Sequence, residues 1–260
     1  MSESRYIRQE TVAQVGIAGQ EVFSKARIAV VGLGALGSVC AEILTRSGIG
    51  YLRLIDRDRV ELHNLARCTL YTESDALSAK PKALAAVEHL EAVNSTIDLE
   101  PCFCNLDSSN ALELLAGVDL ILDGSDNFEL RTAVNEAAQR LATPWIYTGV
   151  LATIGMIMPV MPEGPCFRCL SPTPPAPGNY PTCVTEGVLA ATTRIAATLE
   201  VTLALKLLLH GAGLLSREEV LGAETPLGLP RATMLHFDIW EPELERIEIV
   251  KDPHCPVCGV

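Results

Sequence analysis

Three groups of residues in this 260-residue chain have types and spacings that can do chemistry. The first is a glycine-rich turn. Val30-Val31-Gly32-Leu33-Gly34-Ala35-Leu36-Gly37 follows an apolar run and opens a helical pattern, and Gly32, Gly34 and Gly37 satisfy G-x-G-x-x-G. Glycines there let the backbone turn tightly and approach a phosphate at a helix N-terminus, where free N–H groups and the helix dipole attract an anion. Asp56 ends the next apolar run, nineteen residues beyond Gly37, a position from which a carboxylate can bind a ribose diol. Taken alone, these residues point to an NAD(P)-dependent oxidoreductase. A tight strand–helix turn that holds no ligand is the plainer alternative.

The second group changes that reading. Asp58, Asn64 and Arg67 follow Asp56, Lys82 follows Pro81, and Asp126 and Asn127 lie in Asp123-Gly124-Ser125-Asp126-Asn127. Arg5-Tyr6-Ile7-Arg8-Gln9 stands near the start. A dehydrogenase has no use for an asparagine, two basic groups and a second carboxylate around its phosphates. An enzyme that handles a triphosphate does: attack at phosphorus builds negative charge on oxygen, which Arg and Lys stabilise while a carboxylate holds Mg²⁺. Each residue also has a bland reading. Asp126 with Glu129 can cap a helix, Lys80 and Lys82 can be solvated charges, and Arg67 can form a surface ion pair worth little.

The third group is two C-x-x-C pairs, Cys166/Cys169 and Cys255/Cys258, separated by 85 residues. Four thiolates in such pairs suit tetrahedral Zn²⁺ with no open position, a structural site tying the C-terminus to the middle of the chain. Redox pairs or independent thiols are the alternatives, and the adjacent His254 is a bystander once four sulfurs complete the shell. Cys183 stands between a proline-rich stretch and a long helical pattern, where a helix N-terminus would favour its thiolate. Cys40, Cys68, Cys102 and Cys104 read as ordinary small residues, Cys40 in a core helix.

In their order along the chain, R-Y-x-R-Q at Arg5, G-x-G-x-x-G at Gly32, D-x-D at Asp56, N-L-x-R at Asn64, P-K at Pro81 and S-D-N at Ser125 resemble the ThiF/MoeB-type adenylyltransferases, bacterial relatives of ubiquitin-activating enzymes. The resemblance runs from Arg5 to Gly259. It implies ATP-dependent adenylation of the C-terminal glycine carboxylate of a small ubiquitin-like sulfur-carrier protein of the ThiS or MoaD kind, ending in Gly-Gly, for later conversion to a thiocarboxylate. By motif, Asp56 would bind the ATP ribose, Asn64, Arg67 and Lys82 the phosphates, and Asp126 Mg²⁺. Arg8 would reach into the partner subunit's site, which implies a homodimer. Cys183 matches a family cysteine that is a covalent carrier in some members and dispensable in others, and the same two cysteine pairs recur in the family. Ala35 replaces the usual glycine, for which a small adjustment with retained binding is expected. No rhodanese-like domain follows, so sulfur is expected from a separate donor protein. Rival readings are a non-catalytic partner-binding member and adenylation of a tRNA base or a short peptide. Which carrier, and whether it serves molybdopterin or thiamine synthesis, stays open.

The elements that must position these residues are legible as alternation. Strands are predicted at Ala26–Val31, Tyr51–Asp56, Ile97–Phe103, Val118–Leu122 and Trp145–Val150, and helices at Gly37–Ser47, Pro81–Val93, Ser109–Leu115 and Asn127–Leu141. Strands alternating with helices of this length mean βαβ units. The fold class is therefore α/β: a Rossmann-like, twisted, mainly parallel sheet with helices on both faces. Ile154–Val160 follows its neighbour too closely for a crossover and is expected antiparallel. Then come a loop at Ser171–Pro181, a long helix from about Thr185 to His210, a loop-rich insertion at 211–231, and a hairpin of Met234–Trp240 with Glu243–Val250. This makes one domain over 1–260, with a nucleotide-binding half at 1–150 and a mixed half at 151–260.

A chain this long buries about three quarters of its unfolded surface and needs no disulfides. Its net charge of −12, with no basic run, disfavours nucleic acid as a partner. Arg194, Glu200 and Lys206 interrupt the apolar stretch from 187 to 209, so no membrane span is expected. Nine cysteines behind an N-terminus without an apolar signal core fit a reducing cytoplasm.

Overall fold

The computed structural model describes residues 4–173, 182–183, 185–221 and 231–259. Its strands are β1 (Arg27–Val31), β2 (Tyr51–Ile55), β3 (Asp98–Cys102), β4 (Leu120–Asp123), β5 (Trp145–Leu151), β6 (Ile154–Val160), β7 (Arg231–Asp238) and β8 (Glu243–Val250). They form one eight-stranded sheet in the order β3-β2-β1-β4-β5-β6-β7-β8. The first five are parallel; β6, β7 and β8 extend the sheet antiparallel. The helices are α1 (Ile7–Glu10), α2 (Gly16–Lys25), α3 (Gly37–Ser47), α4 (Glu73–Leu77), α5 (Lys82–Val93), α6 (Ala111–Leu114), α7 (Phe128–Leu141), α8 (Phe167–Leu170), α9 (Ala190–Gly211) and α10 (Arg217–Leu221).

The inner strands are apolar at consecutive positions because both sheet faces are covered. Ile28, Val30, Leu52, Leu54, Leu120 and Leu122 point to the face packed by α3, α5 and α9. Ala29, Val31, Ile55 and Ile121 point to the other face, which α7 and Phe167 cover. From β1 the chain turns to β2 and β3 on one side, then crosses to β4 on the other. The loops after β1 and β4 therefore leave in opposite directions and open a crevice at the carboxyl ends of the strands.

Several boundaries differ from the sequence reading. The long helix begins at Ala190 and not near Thr185, because the chain first makes a turn in which the Glu186 N–H bonds to the Thr182 carbonyl. The first hairpin strand lies at Arg231–Asp238, shifted toward the N-terminus by its register with all of β8. Pro81 is the N-cap of α5 and lies outside its first turn. The helices α1, α2, α4, α8 and α10 are short or weakly patterned and were not legible; α10 lies inside the stretch read as loop. The proline-rich loop at 174–181 falls outside the described residues. Among the described residues no helix is long and apolar enough to cross a membrane.

Candidate functional site

A cleft of about 1350 Å³ lies at the crevice. The glycine pattern builds its floor by backbone packing. Gly32 has φ +86°, and a Cβ there would lie 2.7 Å from the Gly124 carbonyl oxygen; a Cβ on Gly37 would lie 1.8 Å from the carbonyl oxygen of Gly32. The turns after β1 and β4 thus touch backbone to backbone, which side chains would prevent. Gly34 faces open space. Ala35 lines the cleft without a left-handed φ, so its methyl strains nothing. No side chain caps the N-terminus of α3, and the dipole of the helix favours an anion there.

Asp56, just past β2, is buried and pinned: Oδ2 accepts from the Leu33 N–H at 2.6 Å and Oδ1 from the Asp58 N–H at 2.7 Å. Burial pushes its carboxyl above the usual aspartate value, against the pull of Lys82 and the two N–H groups. Lys82 opens α5 and is buried, with Nζ 2.9 Å from Asp58 Oδ2. A short antiparallel pinch places it: the Val60 N–H bonds to Lys80 O and the Lys82 N–H to Asp58 O. Lys80 turns away and pairs with Glu88. Asn64 is buried, its Oδ1 accepting from the Glu61 N–H at 3.0 Å, and Arg67 is held by donation to the His63 carbonyl at 3.0 Å.

From the opposite wall, the end of β4 presents Asp126, whose exposed carboxylate makes no hydrogen bond or ion pair among the described residues. The helix cap at this corner is Asn127, not Asp126: Asn127 Oδ1 accepts from the Leu130 N–H at 2.8 Å. Asn127 is thereby occupied with the backbone of α7, although it borders the cleft. Cys183 also borders the cleft, its Sγ 3.5 Å from the Val150 carbonyl. The expectation of a dipole-favoured thiolate fails, because α9 starts seven residues later and burial raises the Cys183 thiol above its ordinary value, Asp126 adding to the effect.

The cleft therefore gathers Gly32, Gly34, Ala35, Asp56, Asp58, Asn64, Arg67, Lys82, Asp126, Asn127 and Cys183, all singled out from sequence. Gly37 is beneath the floor, and Arg8 is exposed on α1, away from this chain's own cleft. Sequence reasoning missed the loop at Asn105–Ser108, which forms a further wall. It also missed a buried ion pair, Arg131 Nε to Asp123 Oδ2 at 2.8 Å, with Arg131 Nη2 donating to the carbonyls of Ser125 and Thr148. The rule that ligands sit beyond the carboxyl ends of parallel strands would have flagged both segments.

The four paired cysteines converge elsewhere, behind α7. Their sulfurs all lie within 4.8 Å of one another, Cys166–Cys255 at 3.6 Å and Cys169–Cys258 at 3.4 Å. A zinc tetrathiolate with bonds of about 2.3 Å has sulfur–sulfur edges of about 3.8 Å, so the donor set fits. Phe167, between the first pair, packs 5.7 Å from Phe128 and 5.0 Å from Tyr147 between ring centroids, which seats the cluster against the sheet.

A family model described as the ThiF family matches residues 6–257. The chain is 37% identical to a sulfur carrier protein adenylyltransferase of Thermus thermophilus, over 98% of this chain and 90% of that protein. It is 36% identical to a sulfur carrier protein ThiS adenylyltransferase of Bacillus subtilis, over 98% and 71%. A crystal structure of E. coli MccB with AMPCPP and MccA superimposes with a TM-score of 0.82 at 22% identity, covering 100% of this chain and 75% of that one, a likeness of fold.

Proposed function

The chain belongs to the ThiF family, and from that premise we propose that it is an ATP-dependent adenylyltransferase that activates the C-terminal glycine carboxylate of a small ubiquitin-like sulfur carrier of the ThiS or MoaD type. The observation that carries this reading is the convergence of Asp56, Asn64, Arg67, Lys82 and Asp126 on one cleft from four separate segments. A nicotinamide-dependent oxidoreductase would leave the asparagine, the two cations and Asp126 without a task.

In the proposed reaction a carboxylate oxygen of the carrier attacks the α-phosphorus of ATP. The new O–P bond forms as the bond to the β-phosphate oxygen breaks, giving acyl-adenylate and pyrophosphate. Asp56 takes the ribose hydroxyls on lone pairs left free by its two N–H partners. Lys82, Arg67 and Asn64 bind the phosphates and offset the developing charge. Asp126, without a hydrogen-bond or ion-pair partner among the described residues, is the residue suited to hold magnesium, which when bound neutralises phosphate charge. No protein nucleophile takes part, so positioning supplies most of the rate. Arg8, exposed and remote from its own cleft, would complete the site of a second copy in a homodimer. Zinc at Cys166, Cys169, Cys255 and Cys258 would be structural. Sulfur would come from a separate donor protein, and nine unpaired cysteines suit a reducing cytoplasm.

ATP–pyrophosphate exchange tests the reading: exchange should require a carrier ending in Gly-Gly and stop when that terminus is truncated. Tight NADH binding without carrier-dependent exchange would overturn it.

A further inference from the structure

Glu200, near the middle of α9, is fully buried beneath the cleft floor. Its Oε1 accepts from the Asp123 N–H at 3.0 Å, and its Oε2 lies 3.4 Å from the Cys40 thiol. The buried Thr148 hydroxyl neighbours the same carboxyl and has no hydrogen-bond partner among the described residues. Asp123 is the last residue of β4, and the β4–β5 ladder has already ended at Leu122, opposite Ile146. The Asp123 N–H therefore has no strand to bond to. A side chain from the helix below supplies the acceptor that β5 does not, at the point where the sheet splays open.

The charges decide the state of that carboxyl. Two buried carboxyls, Asp123 and Glu200, adjoin each other, and the guanidinium paired with them is that of Arg131, on Asp123. Asp123 takes it entirely, with Arg131 Nε on Oδ2 and the Ser125 N–H and hydroxyl on Oδ1. Among the described residues Glu200 pairs with an amide N–H and a thiol, neighbours the Thr148 hydroxyl, and has no cation at ion-pair distance. An ion buried with no counter-charge is far costlier than a neutral acid. A neutral carboxyl offers one carbonyl oxygen for the Asp123 amide and one O–H to donate, which matches the groups present.

We propose that Glu200 is a positioning residue that acts as a neutral acid, fixing the end of β4 through the Asp123 amide so that the loop Gly124–Asn127 presents Asp126 to the nucleotide's metal. This rests on the adenylyltransferase reading for Asp126. Glu200 never touches substrate; it acts through Asp123, whose Oδ1 in turn holds Ser125, the residue before Asp126.

The test compares Glu200→Gln, which keeps a carbonyl acceptor and a donor without charge, with Glu200→Leu, which removes both. In carrier-dependent exchange, Glu200→Gln should stay within about threefold of wild type. Glu200→Leu should lose about thirtyfold or more in kcat and need roughly tenfold more Mg²⁺ for half-saturation, while metal-free AMP, held by Asp56, binds as before. Difference infrared spectra of wild type against Glu200→Gln at pH 8 should show the C=O stretch of one protonated carboxylic acid. A merely structural role would lower the Tm of Glu200→Leu without moving its Mg²⁺ dependence, and that result would overturn the proposal. So would a Glu200→Gln protein as impaired as Glu200→Leu, or a missing acid band, which is read on the folded wild type even if the leucine variant does not fold. Wild type without exchange but with the acid band, and with Mg²⁺ strengthening ATP binding less in Glu200→Leu than in wild type, would overturn the adenylation reading and leave Glu200 in its positioning role.

Discussion

Replacing Cys258 by serine tests whether the C-terminal knuckle is a zinc site and what it does. The sulfurs are already within 4.8 Å of one another, so closing on a tetrahedron of about 3.8 Å edges needs shifts of a few tenths of an ångström to about one. Serine removes one ligand of four, and the remaining set opens to water and to chelators. The knuckle's other ties among the described residues are mostly internal, the Cys255 N–H to Asp252 O, the Gly259 N–H to Cys255 O and the His254 N–H to Asp252 Oδ1; two long contacts reach the middle of the chain, Lys251 to the Glu163 carbonyl at 3.4 Å and the Asp252 N–H to Cys169 Sγ at 3.5 Å. Without metal, residues 251–259 should fray as unsupported termini do. Fraying uncovers the buried thiols and part of the Phe167 ring, which packs with Phe128, Trp145 and Tyr147. Partial exposure of one aromatic and two thiols costs about 3 kcal/mol, or about 6–12 °C in Tm for a chain of this length. The cleft should feel little of this, because α7 keeps its Asn127 cap; the KM for ATP should move by less than about threefold, under ~0.7 kcal/mol. The assays are elemental analysis after dialysis against a chelator, a thermal melt, and limited proteolysis of the tail. Wild-type protein should hold about one zinc per chain. Zinc-free wild type with the four cysteines in disulfides would refute the metal site, and zinc retained in Cys258→Ser would refute the ligand assignment.

Three further outcomes follow from the cleft. Asp126→Ala should abolish pyrophosphate exchange and leave the melt unchanged, since Asn127 and not Asp126 caps α7; exchange at the wild-type rate would remove Asp126 from the site. Affinity for ATP should fall on acidification from a pH above the ordinary aspartate range, because burial raises the Asp56 carboxyl and protonation takes away an acceptor for the ribose. The matching stability sign is that the folded state holds this proton more tightly than the unfolded one, so the contribution of Asp56 to stability declines as pH rises through its raised pKa. A flat profile of KM for ATP down to pH 4 would contradict this, as would an equal slope in Asp56→Asn. Cys183→Ala should form acyl-adenylate normally, because no thiol takes part in that step and this one is held protonated by burial; loss of adenylate with intact ATP binding would refute that division.

What the sequence by itself determined are features carried by local chemistry. Gly32 and Gly37 are required wherever two turns meet backbone to backbone, alternation of apolar runs with helical patterns sets a parallel sheet, and close spacing after β5 forces β6 antiparallel. The order of short motifs was enough to identify the family, and nine of the cleft residues besides the glycine floor could be named before any contact was known. The C-x-x-C pairs likewise announced each other across 85 residues. What only the tertiary structure decided are properties that depend on neighbours distant in the chain. Burial, not the dipole of a following helix, sets the Cys183 thiol. Asn127, not Asp126, satisfies the first turn of α7, and this leaves Asp126 without a hydrogen-bond partner among the described residues. In the sequence Glu200 is only a charge interrupting an apolar helix; its role exists because β4 outruns its ladder with β5 and α9 lies beneath the unpaired amide. Hydrogen-bond satisfaction and charge balance in a buried space depend on which groups the fold brings within 3 Å or so of one another, and no pattern along a single chain segment encodes that.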